Sequence, residues 1–245
     1  MKQTAQSPGG HWLAGTLPAA LLGLALIVAA AIGGNALLDF KRLDRYVTVK
    51  GLAEQEVQAD LTIWPISYTV TADSLNELQA QLEAAADTIT AYLKLHAFSD
   101  QDLTRSPPRI TDFYAQSYSN TRPPERYQAV GNITVQSQQI TAVKTALQSI
   151  GNLLSDGIML AQDYSFGGSA QFLYTSLNDI KPAMIADATA NAREAARQFA
   201  KDSGSKVGGI RTANQGLFTI TERDSNSPDV KIVRVVSTVQ FYLRD

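Results

Sequence analysis

Two carboxylates near the start of the predicted domain, Glu54 and Asp60, have the residue type that acid–base chemistry needs. They flank the join between two predicted strands, and such a pair could divide the roles of general acid and general base. An aspartate at a turn has a second use, because its side chain hydrogen-bonds backbone and sets the start of the next strand. This structural role is the favoured interpretation of Asp60. For Glu54 we expect a strand or bulge position that faces water, or a contact between subunits.

The two histidines, His11 and His96, have no Cys, Asp or Glu at the spacing of a triad or a metal site. His11 falls in the N-terminal tail, and His96 ends a predicted helix, where an imidazole on the surface complements the helix dipole. The chain has no cysteine, and it has no P-loop, nucleophile elbow or GxGxxG motif. We therefore expect no catalytic, cofactor-binding or metal-binding residue, no cofactor, and a protein that is not an enzyme.

Aromatic and basic residues cluster between residues 114 and 127. Tyr114, Tyr118 and Tyr127 are predicted to meet across a hairpin, which cross-strand packing explains better than a ligand site. Arg122 and Arg126 flank a proline pair in a turn-rich loop. A solvated loop is the simplest interpretation of the two arginines, and an anion or partner contact is the alternative.

The elements that must position these residues follow from hydrophobic periodicity. The predicted order is β-β-α-β-β-α-β-α-β-β, an α+β fold with about three helices on mainly antiparallel sheet. Two strands flank Ala59 and Asp60, and residues 98–109 are a loop. The predicted helices cover residues 74–97, 140–154 and 181–203, and the later strands cover residues 110–118, 126–138, 158–173, 207–220 and 230–243.

Several residues predict how these elements begin, bend and end. Ser74 with Glu77 three positions later indicates a capping box. Asp179 is expected to cap the third helix, with Pro182 in its first turn and Gly204 at its end. Other positions interrupt strands: Pro65 indicates an edge or a bulge, Gly51 a bulge or a close approach, and Gly167–Gly168 a bend, while Gly208–Gly209 is a turn signal.

The chain has 245 residues and a net charge of −2, which suits one large or two small domains. A nucleic-acid-binding protein normally carries a basic face. The weakly acidic balance therefore predicts no nucleic-acid partner.

The N-terminal stretch from Trp12 to Leu38 contains no charged residue. As a helix it exceeds the roughly 30 Å hydrocarbon core of a bilayer. We expect a tail at residues 1–12, a transmembrane signal-anchor at 13–38, a charged linker at 39–45 and one domain at 46–245. A cleaved signal peptide is the alternative, because residues 19–32 are short enough for its apolar region and Ala29–Ala31 fit its cleavage rule.

The charges around this stretch leave its orientation open. Lys2 precedes it, whereas Lys41, Arg42 and Arg45 follow it. The positive-inside rule then favours a cytoplasmic C-terminal domain, although long domains can cross the membrane regardless of flanking charge.

Two motifs together resemble the SIMPL-domain family. The stretch VTVKGLAEQEVQADLTI resembles the family's opening pattern, here Val49, Gly51, Ala53, Glu54, Val57, Ala59 and Asp60. The stretch AMIADATANAREAARQFAKDSGSKVGGI is similar to its Ala-rich helix and following strand. The resemblance covers about residues 46–243. Ala59 departs from the family, which often has proline before the aspartate, and the long apolar span resembles a membrane-anchored branch.

The resemblance implies a bacterial envelope protein, usually periplasmic, with no established catalytic activity. Members are linked to oxidative-stress tolerance, and a related periplasmic immunogenic protein forms ring-like oligomers. We therefore expect a single-pass inner-membrane protein with its C-terminal domain in the periplasm. It is expected to self-assemble, through strand edges near Tyr46 or Leu243, and to have a role in oxidative or envelope stress tolerance. Its protein partner is unknown.

Two other functions stay open on the residues alone. A carboxylate-dependent envelope hydrolase would need Asp60 or Glu54 in a pocket with another titratable group. A small-ligand or lipid-binding module would need an apolar cavity above roughly 300 Å³ between helices and sheet.

Overall fold

The computed structural model of the protein describes residues 23–34, 45–115, 123–161 and 169–244. The chain divides into two compact units. Unit 1 contains the described parts of residues Met1–Leu52, Asp187–Gly216 and Val236–Asp245. Unit 2 contains the described parts of residues Ala53–Ala186 and Leu217–Val235.

The prediction of an α+β fold with antiparallel sheets is confirmed, with five helices in the described residues instead of about three. The helices are α1 (23–34), α2 (Leu75–Leu95), α3 (Ile140–Ser149), α4 (Asn152–Ser155) and α5 (Leu177–Asp202), with a short 3₁₀ helix at Asp100–Asp102. The strands are β1 (Tyr46–Gln58), β2 (Leu61–Ala72), β3 (Leu103–Asp112), β4 (Tyr127–Ser137), β5 (Met159–Leu160), β6 (Gln171–Leu173), β7 (Lys206–Gln215), β8 (Thr219–Glu222) and β9 (Val230–Arg244).

The helix α1 is the described part of the predicted transmembrane segment 13–38. Among the described residues, no helix has both the length and the apolar character that crossing a bilayer requires. Residues 13–22 and 35–38 of the predicted segment lie outside the described residues. So do the whole tail at 1–12 and residues 39–44 of the linker.

Unit 2 holds a sheet in the order β3-β4-β2-β5, with β6 also paired to β2. Its strands alternate buried and half-exposed side chains, as expected when one face is covered. The main core of this unit is built from large side chains. Its most buried members include Trp64, Ile89, Leu93, Ile133 and Leu153. Burying a side chain of this size contributes about 1.5–3 kcal/mol, so these residues supply much of the unit's stability.

The other sheet has the order β1-β9-β7, with β8 also paired to β9. In unit 1 the apolar cluster on this sheet is built largely from small and β-branched residues. Its buried members are Val47, Val49, Ala192, Ala196, Val239 and Phe241. Gly51 on β1 lies against the α5 backbone at Ala188 and Ala192, and an added Cβ would overlap both. The predicted close approach at Gly51 is thus confirmed.

The predicted loop at residues 98–109 is wrong from Leu103 onward, because β3 begins there and contains Pro107 and Pro108. β3 ends the order of its sheet, and its register with β4 shifts between Ser106 and Arg109. Proline is tolerated at a sheet edge and in a bulge, because no ladder N–H is needed there. β3 also ends at Asp112, short of the predicted 118, and residues 116–118 lie outside the described residues.

Three other predicted elements are divided in the structure. The helix at 140–154 is α3 and α4, separated at Ile150–Gly151. The strand at 158–173 is β5 and β6, and the predicted bend at Gly167–Gly168 lies outside the described residues. The strand at 207–220 is β7 and β8, and both pair with β9. Gly208 and Gly209 lie within β7, so the turn expected there is wrong.

The predicted helix ends are largely confirmed. Ser74 caps α2 by accepting the backbone N–H of Glu77 at 3.3 Å. Gly204 has a φ of 67° after α5, a left-handed conformation that glycine adopts readily. The start of α5 is earlier than predicted, so Asp179 lies in its first turn and Pro182 inside the helix.

Three residues were predicted to lie at or near strand edges, and the structure places them differently. Pro65 lies in β2 between the residues paired to β6 and those paired to β5, so its missing N–H faces a local gap between partners. Tyr46 belongs to β1, at the end of its sheet order, as predicted. Leu243 belongs to β9, which lies between β1 and β7, so the prediction of an edge there is wrong.

Candidate functional site

The carboxylate of Asp60 clamps the segment that leads into α5. Its Oδ1 accepts the backbone N–H of Thr175 at 2.7 Å and the Thr175 hydroxyl at 3.0 Å. Its Oδ2 accepts the backbone N–H of Ser176 at 2.8 Å. The Asp60 N–H donates to the carbonyl of Leu173 at 2.9 Å. The predicted structural role is therefore observed, but its partners lie far along the chain instead of in the adjacent turn.

These contacts also fix the charge of Asp60. Burial is the largest single effect and raises the pKa, but the hydrogen bonds from Ser176 and Thr175 together outweigh it and lower the pKa. A carboxylate with a lowered pKa is a weak base near neutral pH. The clamp therefore favours an ionised, structural Asp60.

Glu54 lies on β1 with its carboxylate 3.4 Å from the guanidinium of Arg234. Both side chains are about half exposed. The prediction that Glu54 is a strand residue facing water is confirmed. Glu54 and Asp60 thus have different partners, Arg234 and the Thr175–Ser176 backbone.

His96 forms the C-cap of α2, and its ring joins a small polar network that the sequence did not indicate. Its Nε2 lies 3.1 Å from the Ser149 hydroxyl, which also lies 2.8 Å from the Tyr92 hydroxyl. Tyr92 donates to the Ala146 carbonyl at 2.6 Å. The expected position at the helix end is confirmed, and the half-buried ring also contacts the end of α3.

The Ser149–His96 pair has the residue types of a nucleophile and its base, but its hydrogen bonds are those of a helix junction. Ser149 also donates to the Thr145 carbonyl at 3.2 Å, one turn back in the same helix. Hydroxyls that bond backward in this way satisfy the helix backbone. Because 53 residues separate His96 and Ser149, no local pattern could have revealed the pair.

Arg126 organises the predicted tyrosine cluster. Its guanidinium lies 4.8 Å from the ring centre of Tyr127 and 5.8 Å from that of Tyr114. It also donates to the Asp112 carboxylate at 2.9 Å, which lowers the pKa of Asp112. Arg126 is therefore an ion-pair partner on the hairpin instead of a purely solvated loop residue. His11, Tyr118 and Arg122 lie outside the described residues.

A polar cleft of about 490 Å³ lies beside the β1–β2 join. Lys144 and Asp229 form an ion pair of 2.9 Å in it, and the Asp229 side chain is only 9 % exposed. The Lys144 ammonium lowers the pKa of Asp229 more than burial raises it. Asp229 is then ionised at neutral pH, which suits an ion pair with Lys144 better than proton transfer.

An apolar cleft of about 410 Å³ lies between α2 and the β3–β4 hairpin. Its apolar lining is Leu75, Leu78, Leu82, Pro108, Ile110 and Ala129. Ile110 and Leu75 are about half exposed at its mouth. Its volume falls within the range of small-molecule sites.

In the parts of the chain that the structure describes, no group of three or more His, Asp or Glu side chains comes close enough to hold a metal ion.

The comparison with protein-family models identifies the class to which this fold and these contacts belong. The model of the SIMPL family, described as protein of unknown function (DUF541), matches residues 47–238. The chain therefore belongs to the SIMPL family, as the two motifs indicated. The search of curated proteins found no match to this sequence.

Proposed function

We propose that this SIMPL protein is a non-enzymatic, membrane-anchored envelope protein whose domain lies in the periplasm and self-assembles. The observation that carries the non-catalytic part is the Asp60 clamp. Asp60, one of the two carboxylates in the family's opening motif, uses both oxygens to accept hydrogen bonds from Thr175 and Ser176. Asp60→Asn tests this part. We expect the variant to be less stable, while the folded protein still self-assembles and binds any apolar ligand as the wild type does.

The uncharged stretch from Trp12 to Leu38 supports the membrane anchor. Protease added to intact spheroplasts tests it together with the topology. We expect a C-terminally tagged full chain to run near 26.4 kDa before digestion and to be degraded from outside. A cytoplasmic marker protein should stay protected in the same sample.

Two other outcomes would change this proposal. Protection of the tag until lysis would put the domain in the cytoplasm, in agreement with the positive charges after the stretch. A shortened chain released from the membrane before digestion would mean that the N-terminal stretch is a cleaved signal.

The edge strand β1 supports self-assembly, because an edge presents backbone groups that a second copy could pair. We expect the full chain in mild detergent to sediment as a multiple of its monomer mass. Leu52→Lys on β1 should reduce that mass, since edge lysines oppose strand pairing. Leu154→Lys, at an exposed position on α4, is the matched control. A monomeric wild type at micromolar concentration would remove the assembly part.

Resemblance to the family is what supports a role in oxidative or envelope stress tolerance. Deletion of the gene should lower survival in peroxide, and the wild-type gene should restore it. Unchanged survival would remove this part while leaving anchoring and assembly untouched.

The apolar cleft favours a second candidate function, the binding of a small apolar ligand or a lipid chain. A fluorescent fatty-acid probe should bind the wild-type protein, and Ala129→Phe should abolish binding by filling the cleft. Leu154→Phe, on the surface of α4, places the same new side chain away from the cleft. Equal binding by both variants would place the probe outside this cleft. The hydrolase alternative has no comparable observation among the described residues.

A further inference from the structure

Lys231 is a charged residue whose side chain points toward the interior of unit 2. It lies two residues before Val233 on β9, and alternate residues of a strand share one face. Val233 and Val235 on that face are fully buried. The Lys231 side chain is only 7 % exposed, although it lies at the rim of a cleft. A lysine is rarely buried to this extent unless it has partners.

The contacts of Lys231 use part of its hydrogen-bonding capacity. Its Nζ donates to Glu222 Oε1 at 3.2 Å across the β8–β9 pair. An ammonium has three donors, and this is its one side-chain hydrogen bond among the described residues. The remaining donors belong to a side chain that lines the rim of a cleft.

The cleft beside Lys231 has a volume of about 470 Å³ and is lined by two strands. Residues 171–173 of β6 form one wall, and residues 220–222 of β8 form the other. β6 pairs with β2, and β8 pairs with β9, so among the described strands each has one partner and one edge that no other strand covers. Open strand edges are templates for the addition of another strand.

The pairing of β8 shows which backbone groups face away from β9. The Arg223 N–H donates to the Val230 carbonyl at 3.0 Å. Because hydrogen-bonded and non-hydrogen-bonded pairs alternate in antiparallel sheet, Thr221 is bonded to β9 and its neighbours are not. The N–H and C=O groups of Ile220 and Glu222 therefore point to the open edge.

Charge and shape indicate what this groove would bind. Glu222 balances Lys231, so the pair favours a neutral acceptor such as a peptide carbonyl over a free anion. Ile220 and the buried Phe172 add apolar surface to the same groove. We propose that the groove between β6 and β8 binds an extended segment of a partner protein as a strand added to β8, with Lys231 donating to one of its carbonyls. This inference does not depend on membrane anchoring or self-assembly.

The test uses a phage-displayed library of random linear dodecapeptides, selected on the full chain in mild detergent. The recovered peptide is synthesised with a fluorophore, and its Kd is measured by anisotropy. Ile220→Pro removes an N–H that points to the open edge and makes no hydrogen bond to β9. We expect this variant to weaken binding at least about tenfold. Ile220→Val keeps that N–H and should bind within about twofold of wild type. Lys231→Met should weaken binding about fivefold, the loss expected for one hydrogen bond.

A second measurement keeps the proposal testable if Ile220→Pro does not fold. N-methylation of successive peptide amides should weaken binding at every second position. In an added strand, successive N–H groups point alternately toward β8 and away from it. Selection no better than on a blank support, or a uniform response to methylation, would overturn the proposal. If the wild-type chain self-associates and the peptide dissociates it, the bound segment is a second copy of this chain, and the proposal of a partner protein is overturned.

Discussion

Gly51 in unit 1 and Gly131 in unit 2 both lie in strands, and a methyl group on either would collide with a neighbour. At Gly51 the neighbours are backbone atoms of α5, at Ala188 and Ala192. At Gly131 the neighbour is the ring of Tyr68, directly across the β2–β4 pair. One glycine accommodates a helix backbone and the other an aromatic side chain. The same residue type therefore tolerates change very differently in these two parts of the chain.

The helices of the two units repeat this difference. Within unit 1, α5 meets its strands through alanines, so strand and helix backbones lie close together. Within unit 2, α2 packs on its sheet through Ile89, Tyr92 and Leu93. Unit 1 should therefore be most sensitive to added volume, whereas unit 2 should be most sensitive to removed volume.

Gly51→Ala is expected to have the largest effect, more than about 4 kcal/mol in the free energy of unfolding or failure to fold. The backbone of α5 cannot move aside without shifting the helix. Urea unfolding of purified protein measures the effect. Gly209→Ala is the matched control, because a Cβ there meets nothing within 4 Å. A loss below about 1 kcal/mol at Gly51 would refute the close packing of unit 1.

Gly131→Ala should cost less, about 2–3 kcal/mol, because the colliding group is a side chain. Adding Tyr68→Leu should recover at least about 1 kcal/mol of that loss, as a double-mutant cycle can show. The matched pair in unit 1 is Gly51→Ala with Ala192→Gly. That pair should show no recovery, since the backbone nitrogen of Ala192 stays in place.

Asp60→Asn should cost about 2 kcal/mol at pH 7, because a charged acceptor of several hydrogen bonds is lost. The pKa of Asp60 is lowered in the folded state from its ordinary value of 3.8. The stabilisation is therefore complete above that value and is lost as the pH falls through the lowered pKa. The difference between wild type and variant should shrink below about pH 3.8 in urea titrations.

In unit 1, an uncharged side chain makes a comparable long-range hydrogen bond to the backbone. Asn191 donates to the Leu52 carbonyl at 2.8 Å. Asn191→Ala should cost about 1 kcal/mol, and its effect should not change with pH. An equal pH dependence in the two variants would assign the acid effect to other groups.

Glu54→Gln is expected to have the smallest effect, within about 0.5 kcal/mol, because its pair with Arg234 is half exposed. Thermal unfolding at low and high salt would measure it. A loss above about 2 kcal/mol would mean that the carboxylate has a partner that the fold does not show.

The elements predicted correctly from the sequence depend on neighbours along the chain. Ser74 and Gly204 mark the ends of their helices through local hydrogen bonds and a local φ angle. β3 was missed because Pro107 and Pro108 favour a loop in a local pattern, and only the edge position makes them compatible with a strand. The candidate site shows the same division between what neighbours along the chain determine and what tertiary folding determines. That Asp60 is structural was predictable, whereas its bonds to Thr175 and Ser176, like the Lys144–Asp229 pair, depend on tertiary folding.

The corner at Ala59 and Asp60 is closed by contacts that are remote in the chain, which has a consequence for folding kinetics. Asp60 bonds Thr175 across 115 residues, and the Ala59 N–H donates to the Asp229 carbonyl. Contacts between residues so far apart in the chain require the closure of a long loop, and we expect them to form late in folding. Asp60→Asn should therefore speed unfolding and leave the refolding rate nearly unchanged, a φ-value near zero in stopped-flow measurements.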